Sequence, residues 1–122
     1  MRIYIASADS TIRLSLLMLV ESEPGLVVIG MSDRSESLLT IVQAMNPEVL
    51  LLDYELARQA TAGLVGDLHH LQRHPKIIVL AVDPQVKAAT LTAGADVFVS
   101  MNVPPDELLP ILRQMRQPAT IG

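Results

Sequence analysis

Glu48-Val49-Leu50-Leu51-Leu52-Asp53 decides how the rest of the chain is read. Four aliphatic residues in a row end on a lone carboxylate, and Asn46-Pro47 ahead of them stops whatever precedes. A strand with one wet face would alternate. A continuous apolar run this short, bounded by turn chemistry, suits a strand buried on both faces, as in a parallel sheet. Asp53 then stands at the carboxyl end of that strand, the edge where open α/β sheets gather ligands and chemistry.

Outward from this stretch the pattern repeats. Ile3, Tyr4 and Ile5 in Arg2–Ala6 read as a first strand. Asp9-Ser10 then offers cap side chains for a helix over Thr11–Val20, with Ile12, Leu16, Leu19 and Val20 at helical spacing. Pro24-Gly25 marks a turn, and Leu26-Val27-Val28-Ile29 forms a second strand pattern closed by Gly30. Asp33 with Glu36 three residues on has the form of a capping box, ahead of the stripe Leu38, Ile41, Val42 and Met45. Beyond Asp53 a loop leads into a third helix with Leu64, Val65, Leu68 and Leu71 inward, ended by Pro75. Lys76 opens the strand Ile77–Val82. Asp83-Pro84 starts a fourth helix, capped at its other end by Gly94. Asp96–Val99 is a fifth strand. Pro104-Pro105-Asp106-Glu107 begins a last helix with Leu108, Ile111, Leu112 and Met115 on one face, and Pro110 either bends that helix or delays its regular start. Five strands alternating with five helices predict a doubly wound α/β domain, (βα)5, over residues 1–117, with 118–122 as a mobile tail.

Composition narrows the function. A chain of 122 residues is one domain; it is 50% hydrophobic but 2% aromatic, so the core must be aliphatic, and the composition argues against base-stacking platforms. A net charge of −4 argues against direct contact with nucleic acid. The absence of cysteine removes disulfides, thiolate metal sites and a Cys nucleophile. No apolar run reaches the ~18 residues of a membrane helix, and the first strand pattern begins at once, so a soluble cytoplasmic protein is expected. No Gly-rich phosphate loop follows the first strand, which disfavours nucleotide binding.

The order and spacing of Pro47–Asp53, Pro75-Lys76-Ile77-Ile78-Val79-Leu80, Ala93-Gly94-Ala95-Asp96 and Val103-Pro104-Pro105-Asp106-Glu107-Leu108 resemble the receiver domain of bacterial two-component response regulators. The likeness spans Arg2 to Arg116 and is nearest to the subfamily in which a helix-turn-helix DNA-binding domain follows the receiver. It implies a flavodoxin-like five-stranded parallel sheet and makes Asp53 the phosphoacceptor candidate, served by a histidine kinase. In the family an Mg²⁺ ion is held by that aspartate, an acidic pair after the first strand and a backbone carbonyl two residues past it, here that of Glu55. A hydroxyl after the fourth strand and a lysine after the fifth read the phosphate. The family's partner or dimer surface corresponds to Pro84–Met115.

This sequence departs from the pattern at the helper positions. The acidic pair falls on Ser7 and Ala8, the hydroxyl on Ala81 and the lysine on Met101; Asp53 and the aromatic Phe98 remain. The loop after Asp53 is about two residues longer than the family's and lacks its proline. Mg²⁺ needs carboxylates to give up water, and each lost contact to the phosphate costs ~1–3 kcal/mol. The expectation is a degenerate receiver with no cofactor and no enzymatic activity beyond, at most, self-phosphorylation on Asp53. Its signal would pass by protein–protein contact. Two alternatives stay open: a working phosphoacceptor, with Mg²⁺ held by Asp53, Asp9 and the Glu55 backbone, and a doubly wound small-molecule binder. Asp9 and Asp83 could approach Asp53 as auxiliary acids, although both suit helix caps. Ser7 could hydrogen-bond Asp53, and Asp96, starting its strand, belongs to the opposite edge. His69, His70 and His74 suggest a metal cluster, but imidazoles facing a helix C-terminus explain them better.

Overall fold

The computed structural model describes residues 1–101 and 107–116. Five parallel strands, β1 (Arg2–Ala6), β2 (Val27–Ser32), β3 (Val49–Asp53), β4 (Lys76–Ala81) and β5 (Val97–Ser100), form one sheet in the order β2-β1-β3-β4-β5. Five helices connect or follow them: α1 (Ser10–Glu21), α2 (Leu38–Met45), α3 (Thr61–His69), α4 (Lys87–Ala93) and α5 (Leu108–Arg116).

The central strand explains its own sequence. Val49 and Leu51 enter the core beneath α1 and α5, while Leu50 and Leu52 enter the core beneath α2 and α3. Both faces are dry, so all five positions of β3 are buried and no polar alternation is tolerated. Each fully buried leucine contributes about 2 kcal/mol of transfer free energy before the cost of ordering it.

Several boundaries differ from those the sequence suggests. β2 does not close at Gly30 but continues to Ser32, because Tyr4 pairs with Gly30 after a shift that leaves Ile29 unmatched. A Cβ at residue 30 would lie 2.7 Å from the Tyr4 ring, so this glycine admits an aromatic face. The Tyr4 hydroxyl then meets the Ser32 hydroxyl. The capping box of Asp33 and Glu36 does not form. Ser37, with φ 70°, immediately precedes α2 without a side-chain cap bond, so the helix begins one residue later, at Leu38. α3 ends at His69, well before Pro75, and Leu71 packs from outside it. Val82 lies beyond β4 and is exposed. Pro110 falls in the first turn of α5, where its missing N–H would have had no helical acceptor, so it does not interrupt the helix. The proposed helix start at Pro104-Pro105-Asp106 and the tail 118–122 lie outside the described residues.

One contact ties the two ends of this layer together. Arg113 forms a two-pronged bond to Glu23, both at 2.9 Å, and Arg116 reaches the Pro24 carbonyl. Arg116 lies where a side chain on Gly25 (φ 88°) would stand, so the turn after α1 accepts the end of α5. The hydrogen bond from Arg113 is the largest influence on the Glu23 carboxyl; with the charges of Arg113 and Arg116 it outweighs desolvation and holds that carboxyl below its ordinary range. Among the described residues, no helix is long and apolar enough to cross a membrane.

Candidate functional site at the carboxyl edge of the sheet

β1, β3 and β4 end side by side, and their last residues, with the loops after them, surround Asp53. Asp53 is 2% exposed. Its Oδ2 accepts a hydrogen bond from the Ser7 hydroxyl at 2.7 Å, and its Oδ1 accepts the Glu55 backbone N–H at 3.1 Å. Ser7 is itself fully buried and held from three sides. Its N–H donates to the Ser32 carbonyl at 3.0 Å, its Oγ accepts the Asp9 N–H at 3.2 Å, and its carbonyl accepts Arg13 Nη1 at 2.7 Å. The hydroxyl is therefore an oriented donor, and the carboxylate it meets has both oxygens engaged.

The auxiliary acids are occupied otherwise. Asp9 Oδ1 accepts the N–H groups of Thr11 and Ile12, which makes it the N-cap of α1. Asp83 Oδ1 accepts the Gln85 N–H and starts the short turn Pro84–Val86 ahead of α4. Both do what cap carboxylates do: they satisfy orphan donors of a first turn. Ala8 is exposed and offers no ligand atom. Ala81 is buried beside β5, and its carbonyl accepts the Met101 N–H at 2.9 Å. The Met101 side chain packs against the α1–α5 core, and Phe98 packs against the opposite core.

A magnesium ion would need several anionic or carbonyl oxygens at octahedral positions. The residues present do not fit it: among the described residues Asp9 and Asp83 are spent on capping, the Glu55 carboxylate pairs with Arg58, and both oxygens of Asp53 already accept hydrogen bonds, from Ser7 and from the Glu55 N–H. Among the described residues no group of three or more His, Cys, Asp or Glu is arranged to hold a metal.

The segment after Asp53 makes two short turns, Tyr54–Leu56 and Arg58–Ala60, before α3. Arg58 takes φ 49° between them. Fully buried Thr61 pins this segment by donating to the Tyr54 carbonyl at 3.2 Å. Neither Thr61 nor the Arg13 contact to Ser7 was anticipated. Arg13 carries a weak signal as the one cation of α1, whereas nothing in the sequence marks Thr61.

The remaining candidates lie elsewhere. Asp96 caps the opposite edge, accepting the Ile77 N–H at 2.8 Å with Lys76 nearby. His69 and His74 bring their ring centres to 4.7 Å, while His70 Nδ1 meets the Gly66 carbonyl and His74 Nδ1 meets that of Pro75. The His70 contact is with a carbonyl of the last turn of α3, as the helix-terminus reading expects, whereas His74 lies beyond the helix and bonds a loop carbonyl.

No family model and no curated protein matches this chain in sequence. Its fold, however, is shared with solved structures. It is similar to a DNA-binding response regulator of the LuxR family from Staphylococcus aureus, at 15% identity and TM-score 0.83, covering 95% of this chain and 98% of that one. It also resembles a CheY-like response regulator receiver domain protein from Methanospirillum hungatei JF-1 at 24% identity and TM-score 0.79, covering 93% and 90%. A third likeness is to RcsB from Salmonella enterica serovar Typhimurium, solved bound to a promoter with a phosphomimetic, at 20% identity and TM-score 0.83; 95% of this chain covers 68% of that one. Over almost its whole length, then, this chain has the fold of response regulator receiver domains.

Proposed function

We propose that this chain is a receiver-like module of two-component signal transduction that works through protein–protein contact rather than through Mg²⁺-dependent phosphorylation. The observation that carries this reading is the buried bond from Ser7 to Asp53 Oδ2. A serine hydroxyl stands against the carboxylate where the receiver pattern has acid and metal, and Ala81 and Met101 supply neither a hydroxyl nor a cation for a phosphoryl group. Phosphorylating Asp53 would break a short buried hydrogen bond and add negative charge where Ala81 and Met101 offer no compensating contact, at a cost of several kcal/mol. The surface 84–115 remains the expected contact for a protein partner. Neither a cofactor nor catalytic turnover belongs to this reading.

The test is incubation with Mg²⁺ and acetyl phosphate, read by intact mass. The expected result is no phosphoryl adduct. Stoichiometric labelling that disappears in Asp53→Asn would replace this reading with that of a working phosphoacceptor. A small molecule retained through purification would replace it with a binding domain.

A further inference from the structure

Among the described residues, seven large hydrophobic side chains are exposed, and five of them belong to three neighbouring elements at one border of the sheet. These are Leu14 and Met18 on α1, Val27 and Met31 on β2, and Met45 at the end of α2. By contrast, the elements α4, β5 and α5 expose one such residue, Leu91. The apolar surface is thus concentrated on the border opposite the one assigned above to a protein partner.

β2 is the border strand, so one row of its backbone donors and acceptors faces away from the sheet. Border strands are ordinarily guarded by charge, proline or brevity. β2 runs for six residues, Val27-Val28-Ile29-Gly30-Met31-Ser32, without a charge or a proline, although the chain carries −4. Its one guard is the irregularity at Ile29. The two faces of the strand are both apolar at the rim. Val28 enters the α1–α5 core, so Val27 turns to the α2 side by alternation. Met31 lies in register with Ile5 on the α1 side, and the Met45 methyl reaches over Gly30.

We propose that a second copy of this chain covers this border, β2 pairing antiparallel with its counterpart about a two-fold axis. The sheet would then run through both copies, with α1 beside α1 and α2 beside α2. Three arguments select a second copy over another partner. A two-fold contact sets each residue against the same surface, and an uncharged strand meets itself without like-charge repulsion. The free backbone row is satisfied by another strand rather than by a helix. The size is also adequate. Six strand residues span about 20 Å and the three layers are about 30 Å thick, giving ~600 Å² per copy. The total of ~1,200 Å² lies at the lower limit of specific interfaces, so the dimer is reversible. This inference needs no chemistry at Asp53 and leaves 84–115 free.

Sedimentation velocity of the full chain across roughly three decades of concentration tests it. Wild type should pass from monomer to dimer, and Met31→Lys should weaken the dimer by at least about tenfold. Lysine lowers the net negative charge, so such weakening would not be bulk repulsion. Leu91→Lys should leave the dimer intact. Val27→Lys serves as a second border variant, and thermal melts establish that each variant folds. Hydrogen exchange at residues 27–32 should slow as concentration rises. A monomer at every concentration, or a dimer lost in Leu91→Lys and retained in both border variants, overturns the proposal.

Discussion

Replacing Ser7 with alanine removes a single oxygen from the interior, and the structure gives the size of the effect. The lost bond is 2.7 Å long and lies between a fully buried hydroxyl and a carboxylate that is 2% exposed. A hydrogen bond to a charged group contributes about 1.5–3 kcal/mol, and the orphaned acceptor retains its desolvation penalty because protein covers it. Asp53 Oδ1 keeps its bond from the Glu55 N–H, so at the carboxylate the loss is confined to one oxygen; the Asp9 N–H also loses its longer 3.2 Å bond to Ser7 Oγ, but that contact is only partly buried and water can replace it. Ser7→Ala should therefore destabilise the fold by about 2–3 kcal/mol. In a domain of this length that corresponds to a fall in Tm of roughly 8–12 °C. Urea denaturation followed by circular dichroism measures it, with the slope m unchanged. In the double variant Ser7→Ala/Asp53→Asn the two losses should not add, the shortfall being about 1–2 kcal/mol. A loss below about 0.5 kcal/mol in Ser7→Ala would mean that solvent already satisfies Oδ2, and the reading of Asp53 as a carboxylate held by serine would fail.

Three further outcomes follow from the same geometry. Asp9→Ala should cost about 1 kcal/mol by exposing the first N–H groups of α1, measured by the same denaturation, and Asp9→Asn should recover most of it. Gly30→Ala should cost about 1–3 kcal/mol, because the new methyl meets the Tyr4 ring at 2.7 Å, and pairing it with Tyr4→Leu should relieve part of that cost. Glu23 has a lowered folded-state pKa, so its contribution is present above the unfolded carboxyl range and is lost as pH falls through the lower folded value. The stability gap between wild type and Glu23→Gln should accordingly be open at neutral pH and close in acid; a gap independent of pH would refute the ion pair as its source.

What the sequence disclosed, and what it hid, divides along physical lines. β1 and β3 were legible to the residue, because a strand covered on both faces must be a continuous apolar run and its polar neighbours mark its ends. Asp9, Asp83 and Gly94 were legible as caps because capping is local chemistry. The contact of Ser7 with Asp53 could be suggested because both positions follow from the strand register. Gly30 misled: glycine signals a strand end as readily as it signals an approaching ring, and the ring belongs to residue 4. Asp33 and Glu36 have the right spacing for a capping box, but Ser37 takes a left-handed conformation and moves the helix start beyond their reach. The pairing of Glu23 with Arg113 spans ninety residues and leaves no local trace.

The carboxyl edge is stitched by main chain. Ser7 N–H reaches the Ser32 carbonyl, Met101 N–H reaches that of Ala81, and Glu55 N–H reaches Asp53. Of these bonds, the two between strand ends do not depend on the side chains of Ser7, Ala81 or Met101. The fold thus fixes the addresses around Asp53 by bonds that do not involve the side chains standing there. A lineage, or an engineer, can rewrite the chemistry of this edge by point substitution without rebuilding the sheet. Two neighbouring proteins with the same backbone could then differ wholly in the signal to which they answer.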